Sequence, residues 1–237
     1  MESPQKFRYF AVLDFEATCD DKQKMSPQEV IEFPTVLVDG LTMEVVAKFE
    51  SFVRPVHHPT LSPFCTKLTS ITQDMVDGAE EFNAVWTKHQ QWLESHGLDL
   101  NEPEELASWT FVTCGDWDLR TMLPEQLSAS NIDRAQVPRC YTRWINIKIP
   151  FTDYSGHSRA PGMDGMLRAM GLTLDGTHHR GVDDCCNTAK ILEKLRQSGI
   201  ALDFTTRWRG YRDWETDRKS TRLNSSHSGE SRMPSSA

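Results

Sequence analysis

The sequence has no long apolar stretch. No run approaches the roughly 18 residues that cross a bilayer as a helix, so no membrane span is expected. It has no C-x-x-C pair. Its cysteines, Cys19, Cys65, Cys114, Cys140, Cys185 and Cys186, lie at spacings that do not suit zinc. The opening Met-Glu-Ser-Pro-Gln-Lys shows neither the charged nor the apolar region of a secretory leader. Reduced thiols and an intracellular location are therefore expected, with no pattern that separates cytoplasm from nucleus. A basic excess is missing as well: 26 Lys and Arg face 34 Asp and Glu, a net charge of −8. Proteins that coat nucleic acid broadly carry a basic surface, and this composition argues against that class. Action on a nucleic-acid end stays open, because a bound divalent cation would supply local positive charge.

The 237 residues suffice for one sizeable domain. Composition shifts near residue 213. Asp213–Ala237 holds seven serines in 25 residues and almost no apolar side chains. Such a segment cannot bury enough surface to offset its ordering entropy, and disorder is expected. Its last part, Arg218–Ala237, resembles sequencing-adaptor read-through, so a non-native tail is expected and is set aside. The expected organisation is an N-terminal extension over residues 1–7, one domain over 8–212, and the tail.

Within the domain, strand and helix signals alternate. Tyr9–Phe15, Phe33–Val38, Val45–Val53, Thr110–Cys114 and Trp144–Ile149 read as strands, and Asp39-Gly40 as a turn. Ser62–Leu68, Ile71–Val76, Phe82–Ser95, Met163–Met170 and Asp184–Leu195 read as helices, and a further helix is expected to begin near Trp117. This order predicts an α/β domain with a mixed central sheet.

The most informative stretch is Tyr9-Phe-Ala-Val-Leu-Asp-Phe-Glu-Ala-Thr18. Five apolar residues end in two acids spaced two apart, which on a strand share a face. Adjacent carboxylates repel unless a cation neutralises them, and all-oxygen ligands suit Mg²⁺ or Mn²⁺. Two solvated acids at a strand end would look the same. Asp116 and Asp118 follow the fourth strand, and Asp116 has an ordinary reading as a helix cap. In the last helix Thr188, Ile191, Leu192 and Leu195 form an apolar stripe, with Asp184 one turn earlier on that face. An inward acid needs a partner or a metal. Asp183 reads as the N-cap. His178 and His179 each precede an acid by five residues, so spacing alone does not select the candidate general base.

Six segments, in order, carry a resemblance: Leu13-Asp-Phe-Glu-Ala-Thr-Cys19, Val30-Ile-Glu-Phe-Pro34, Pro63-Phe-Cys-Thr-Lys-Leu-Thr69, Phe111-Val-Thr-Cys-Gly-Asp-Trp-Asp-Leu119, Trp144-Ile-Asn146 and His179-Arg-Gly-Val-Asp-Asp184. Over residues 8 to about 205 the chain resembles the Eri-type exoribonucleases of the DEDDh 3′–5′ exonuclease group, and among them the small single-domain exoribonuclease 3 branch. The resemblance implies an RNase H-like fold and a two-metal mechanism with Mg²⁺, Mn²⁺ able to substitute. It implies Asp14, Glu16, Asp118 and Asp184 as metal ligands, and His179 with Glu16 as catalytic residues. The family's Gly two positions after the histidine, here Gly181, selects His179 over His178. Phe15, Ala17, Thr18, Leu68 and Thr69 would adjoin the terminal nucleotide. Trp117 and Trp144 read as core residues, with base stacking as the alternative. Ser155–Met166 departs from the branch, and a SAP segment or zinc fingers have no counterpart here.

The expected activity is release of 5′-nucleoside monophosphates from RNA 3′ ends, single-stranded or with a short overhang. The alternatives are an exonuclease acting mainly on DNA ends, which differs only at contacts to the 2′-OH, and a non-catalytic RNA-binding scaffold. A monomer is expected, and the sequence names no protein partner.

Overall fold

The computed structural model describes residues 6–208. The expected tail lies outside them, as do residues 1–5 of the expected extension. The chain opens with β1 (Tyr9–Leu13), β2 (Glu16–Ala17), β3 (Val30–Asp39) and β4 (Val45–Arg54). Then come α1 (Pro63–Thr69), α2 (Gln73–Asp77), β5 (Glu80–Glu81), α3 (Phe82–Ser95) and β6 (Trp109–Thr113). A wide turn at Asp118–Met122 leads into α4 (Leu123–Ala129), followed by β7 (Arg143–Asn146) and α5 (Lys148–Ser155). The last elements are α6 (Met163–Ala169), α7 (Gly181–Gln197) and β8 (Thr206–Arg207).

The strands form one mixed sheet in the order β5-β4-β3-β1-β6-β7-β8, with β2 paired to β3. β3 runs antiparallel to β1 and β4, while β1, β6 and β7 are mutually parallel. This is the RNase H-like α/β architecture expected. Its centre is buried on both faces, which explains the unbroken apolar run of β1. Ala11 and Leu13 join a core with α3 and α4, while Phe10 and Val12 join a second core with α5, α6 and α7. A smaller cluster holds Ile31, Leu61, Cys65, Ile71 and Val76 under α1 and α2. Among the described residues no helix is long and apolar enough to cross a membrane.

Local chemistry explains the ends of several elements. At α1, Pro63 occupies the first turn and the Ser62 hydroxyl accepts the Cys65 N–H at 2.9 Å. At the Asp39-Gly40 turn, a Cβ on Gly40 would sit 2.1 Å from the Phe7 carbonyl, so only glycine fits. That contact also shows that packing begins before residue 8. Phe7, within the expected extension over 1–7, is itself buried.

Three expectations need correction. The first strand stops at Leu13, because Phe15 turns its N–H toward Asp118 at 2.9 Å instead of toward a strand. The strand expected to reach Ile149 stops at Asn146, whose side chain accepts the Lys148 N–H at 3.1 Å as α5 begins. α7 starts at Gly181, so Asp183 lies inside its first turn rather than at the cap. The Asp183 carboxylate instead accepts the Thr177 N–H at 2.9 Å.

Candidate active site

Four acids reach one end of the sheet from four different elements. Asp14 follows β1, Glu16 opens β2, and Asp184 lies in the first turn of α7. Carboxylate oxygens of these three lie within 4.8 Å of one another. Asp118 opens the turn before α4, and its Oδ1 accepts the Phe15 N–H at 2.9 Å. Asp118 thereby grips the link between Asp14 and Glu16. Asp116 is engaged elsewhere: it accepts from Trp144 Nε1 at 3.1 Å and Thr206 Oγ1 at 3.0 Å, and pairs with Arg120 at 3.1 Å. The two acids of the Gly-Asp-Trp-Asp segment therefore separate into a strap on the sheet and a member of the acid cluster.

Burial and mutual repulsion raise the carboxyls of this cluster together. Burial, then the neighbouring Asp118 and Glu16 carboxylates, hold the Asp14 carboxyl well above its usual range. Burial and then Glu32 push Glu16 up to about 9. Burial raises Asp118 to about 6, against the pull of the Phe15 N–H and the Lys148 ammonium. Asp184 is raised too, chiefly by burial, and the His179 N–H opposes that shift. Its Oδ1 is buried with no hydrogen-bond partner among the described residues. An all-oxygen donor set, crowded carboxylates and one orphaned oxygen together fit a hard divalent cation.

The two histidines stand on the loop before α7. His179 adopts φ +67°, a left-handed conformation uncommon outside glycine. This turn aims its N–H at Asp184 Oδ2, 2.9 Å away. His178 Nδ1 lies 3.6 Å from the same oxygen. The two imidazole centres are 3.9 Å apart. Burial, followed by the adjacent His178, lowers the His179 pKa and so favours the neutral ring. Both rings and Asp184 offer atoms within 4.8 Å of one another.

The expected nucleotide contacts divide sharply. The Phe15 side chain is buried edge-on against Phe33, with centroids 4.7 Å apart. The Thr18 hydroxyl accepts the Glu29 N–H at 3.0 Å, and the Thr69 hydroxyl donates to the Cys65 carbonyl at 2.9 Å; both residues are buried. Ala17 is buried as well. At these four positions the side chains are taken up by packing or by local hydrogen bonds. Leu68 is different, at 36% exposed. Trp117 is 40% exposed and so is not the core residue expected, whereas Trp144 is fully buried.

Two residues escaped the sequence reading. Phe64 is 37% exposed, one turn before Leu68 on α1. The i, i+4 apolar pair on a short surface helix was the available signal. Lys148 falls in the expected strand, but it stands at the start of α5, where its ammonium partly opposes the rise that burial imposes on Asp118 and Cys114. No local pattern marks a lysine for that position.

Comparison with known proteins is consistent with this geometry. A family model described as exonuclease, RNase_T, matches residues 11–192. The ERI1 exoribonuclease 3 of Homo sapiens is 41% identical over 205 residues, 86% of this chain and 58% of its own length. The chain thus spans a little over half the length of that curated relative. The nuclease domain of 3′hExo, a DEDDh family member bound to rAMP, superposes with TM-score 0.78 at 32% identity, covering 87% of this chain and 100% of that one. A structure of a 3′-exonuclease in 3′-end specific recognition of a histone mRNA stem-loop gives TM-score 0.76 at 32% identity, over 84% of this chain and 66% of that one. With a matching family model over most of its length and this fold in common, the chain belongs to the RNase_T-type exonuclease family.

Proposed function

We propose that this protein is a divalent-metal-dependent 3′–5′ exoribonuclease that releases 5′-nucleoside monophosphates from RNA 3′ ends. The observation that carries this reading is the approach of the Asp14, Glu16 and Asp184 carboxylates to within 4.8 Å. The names of its relatives, exoribonuclease 3 and 3′-5′ exoribonuclease 1, support RNA as the substrate.

Asp14, Glu16, Asp118 and Asp184 would hold two Mg²⁺ ions, with Mn²⁺ able to substitute. When bound, such ions polarise the scissile phosphate and acidify water beside it. His179 is the proposed general base. Its lowered pKa leaves a ring nitrogen free to accept the proton of the attacking water near pH 7. Asp184 keeps that histidine in place through the backbone bond at 2.9 Å. Glu16 stays ionised only with a cation beside it, so its catalytic role depends on that neutralisation. The exposed Phe64, Leu68 and Trp117 offer apolar surface for the terminal base. The backbone of Phe15–Thr18 lies beside the acids, within reach of the terminal nucleotide.

The deciding experiment is a time course on RNA labelled at either end, with Mg²⁺ and with EDTA. The expected result is immediate release of labelled mononucleotide from the 3′-labelled strand and stepwise shortening of the 5′-labelled one, both stopped by EDTA. Faster loss of a matched DNA strand would move the substrate to DNA ends. Binding without turnover would leave a scaffold.

A further inference from the structure

A fifth carboxylate lies behind the acid cluster. Glu32 on β3 is fully buried and stands opposite Glu16 in the β2–β3 register. Its Oε2 accepts the Gly181 N–H at 3.0 Å and its Oε1 the Val182 N–H at 3.3 Å. These are the first two amides of α7, which have no acceptor within the helix. Arg180 precedes them and supplies no side-chain cap. A residue 149 positions away in sequence therefore caps the helix that carries Asp184.

The fit around this cap is tight. A Cβ on Gly181 would lie 2.8 Å from the Asp14 carbonyl oxygen, 2.7 Å from Pro34 Cγ and 3.3 Å from Glu32 Cδ. The start of α7 is thus pressed onto the chain at Asp14 and clamped there by Glu32. Two residues before Gly181 stands His179, and three after it Asp184. We propose that Glu32 is a positioning residue that sets His179 and Asp184 against Asp14, a role that rests on the exoribonuclease reading above.

Stability alone does not account for Glu32. A buried carboxylate beside other acids is costly, and Glu32 is the foremost charged neighbour raising Glu16. Its own pKa is raised by burial and drawn back by the two amides. What the carboxylate provides is two acceptor oxygens in one plane. Glutamine offers one acceptor and would turn an NH₂ group on the second amide. Both Glu32 oxygens face α7, and Glu32 is not among the acids whose oxygens approach one another within 4.8 Å.

The test compares the full chain with Glu32→Gln and Glu32→Ala. Measured for each are kcat and KM on RNA at saturating Mg²⁺, amide exchange at Gly181 and Val182, Mn²⁺ affinity, and thermal unfolding. Partners in the outer shell of a metal site change activity or affinity by about 10–100-fold. The expected outcome for Glu32→Gln is a kcat loss in that range, with KM within about threefold. Exchange at Gly181 and Val182 should be about tenfold faster or more, with unfolding still cooperative. Wild-type kcat in Glu32→Gln, a loss confined to KM, or unchanged exchange would each overturn the proposal. Should Glu32→Ala not fold, Glu32→Gln carries the test. If the unaltered chain releases no nucleotide, the exoribonuclease reading is what fails. Exchange and Mn²⁺ affinity then decide: faster exchange with roughly tenfold weaker Mn²⁺ binding supports the positioning role, and any other result overturns it.

Discussion

Asp184 holds His179 by its backbone: the carboxylate Oδ2 accepts the His179 N–H at 2.9 Å, while the His178 ring stands 3.6 Å from the same oxygen. The left-handed turn at His179 makes this possible. Such a conformation costs on the order of 1–3 kcal/mol in a non-glycine residue and persists only where the surroundings enforce it. Here Asp184 and the Glu32 cap of α7 do so.

The histidines can be separated by rate. His179→Ala is expected to lower kcat by about 10²–10⁴-fold, the usual contribution of a positioned general base. His178→Ala is expected to lose far less, because its ring is proposed neither as base nor as ligand. It does touch Asp184, so a small effect on metal affinity is compatible with this. Rates at saturating Mg²⁺ from pH 6 to 9 decide between them. An equal or larger loss in His178→Ala would reassign the base to His178.

Asp14→Asn should separate activity from stability in opposite directions. It removes one charge from a cluster in which burial, Asp118 and Glu16 already raise Asp14. The metal-free variant should melt at a higher temperature than the unaltered chain. Activity should fall by more than about 10²-fold, beyond the loss expected for an outer-shell partner. Calorimetry in EDTA and a nuclease assay in Mg²⁺ read the two effects. Turnover near the wild-type rate would remove Asp14 from the proposed ligand set.

Much of the fold was legible because its signals are periodic. The apolar run of β1, the stripe of α7 and the Asp39-Gly40 turn each follow from local pattern, and each has its element in the structure. Boundaries failed where a tertiary bond decided them. Phe15 leaves its strand because Asp118, 103 residues away, takes its N–H. α7 begins two residues before Asp183 because Glu32, from β3, caps it. The pairing of Asp14 with Glu16 was legible in their spacing, but the approach of Asp184 was not, since it arrives from the distant α7. The misplaced Trp117 shows the converse. A large aromatic beside a strand is ordinarily buried, and here its exposure is the informative departure.

That exposure leads to a substrate-binding prediction. Phe64, Leu68 and Trp117 are large apolar side chains left facing solvent. Stacking of a base on an aromatic ring is worth about 1–3 kcal/mol, a factor of about 5–150 in affinity. Phe64→Ala and Trp117→Ala should each raise KM within that range, while kcat at saturating RNA changes much less. Thermal midpoints should hold, because neither side chain is part of a core cluster. A fall in kcat with unchanged KM would take these residues off the proposed base-binding surface.

The acid cluster also predicts how stability depends on pH and metal. Glu16 is raised from an ordinary 4.5 to about 9, and Asp118 from 3.8 to about 6. A carboxyl with a raised folded-state pKa holds its proton more tightly in the folded chain than in the unfolded one. Unfolding then releases protons, so its stabilising effect is present at low pH and is lost as pH rises toward the folded value. For Glu16 that window runs from about 4.5 to about 9. In EDTA the melting temperature should therefore fall between pH 5.5 and pH 8.5. Divalent cations compete with those protons, so their effect should grow over the same interval. At a hundredfold excess over Kd, bound ligand stabilises by about 2.7 kcal/mol, or about 5–10 °C for a domain of this size. Mg²⁺ at that excess should raise the midpoint by about this amount at pH 8.5 and by much less at pH 5.5. Glu16→Gln isolates the effect from the net negative charge of the chain, and in that variant the fall in EDTA should shrink. Equal Mg²⁺ shifts at the two pH values, or an undiminished fall in Glu16→Gln, would show that the buried carboxyls do not govern metal binding here.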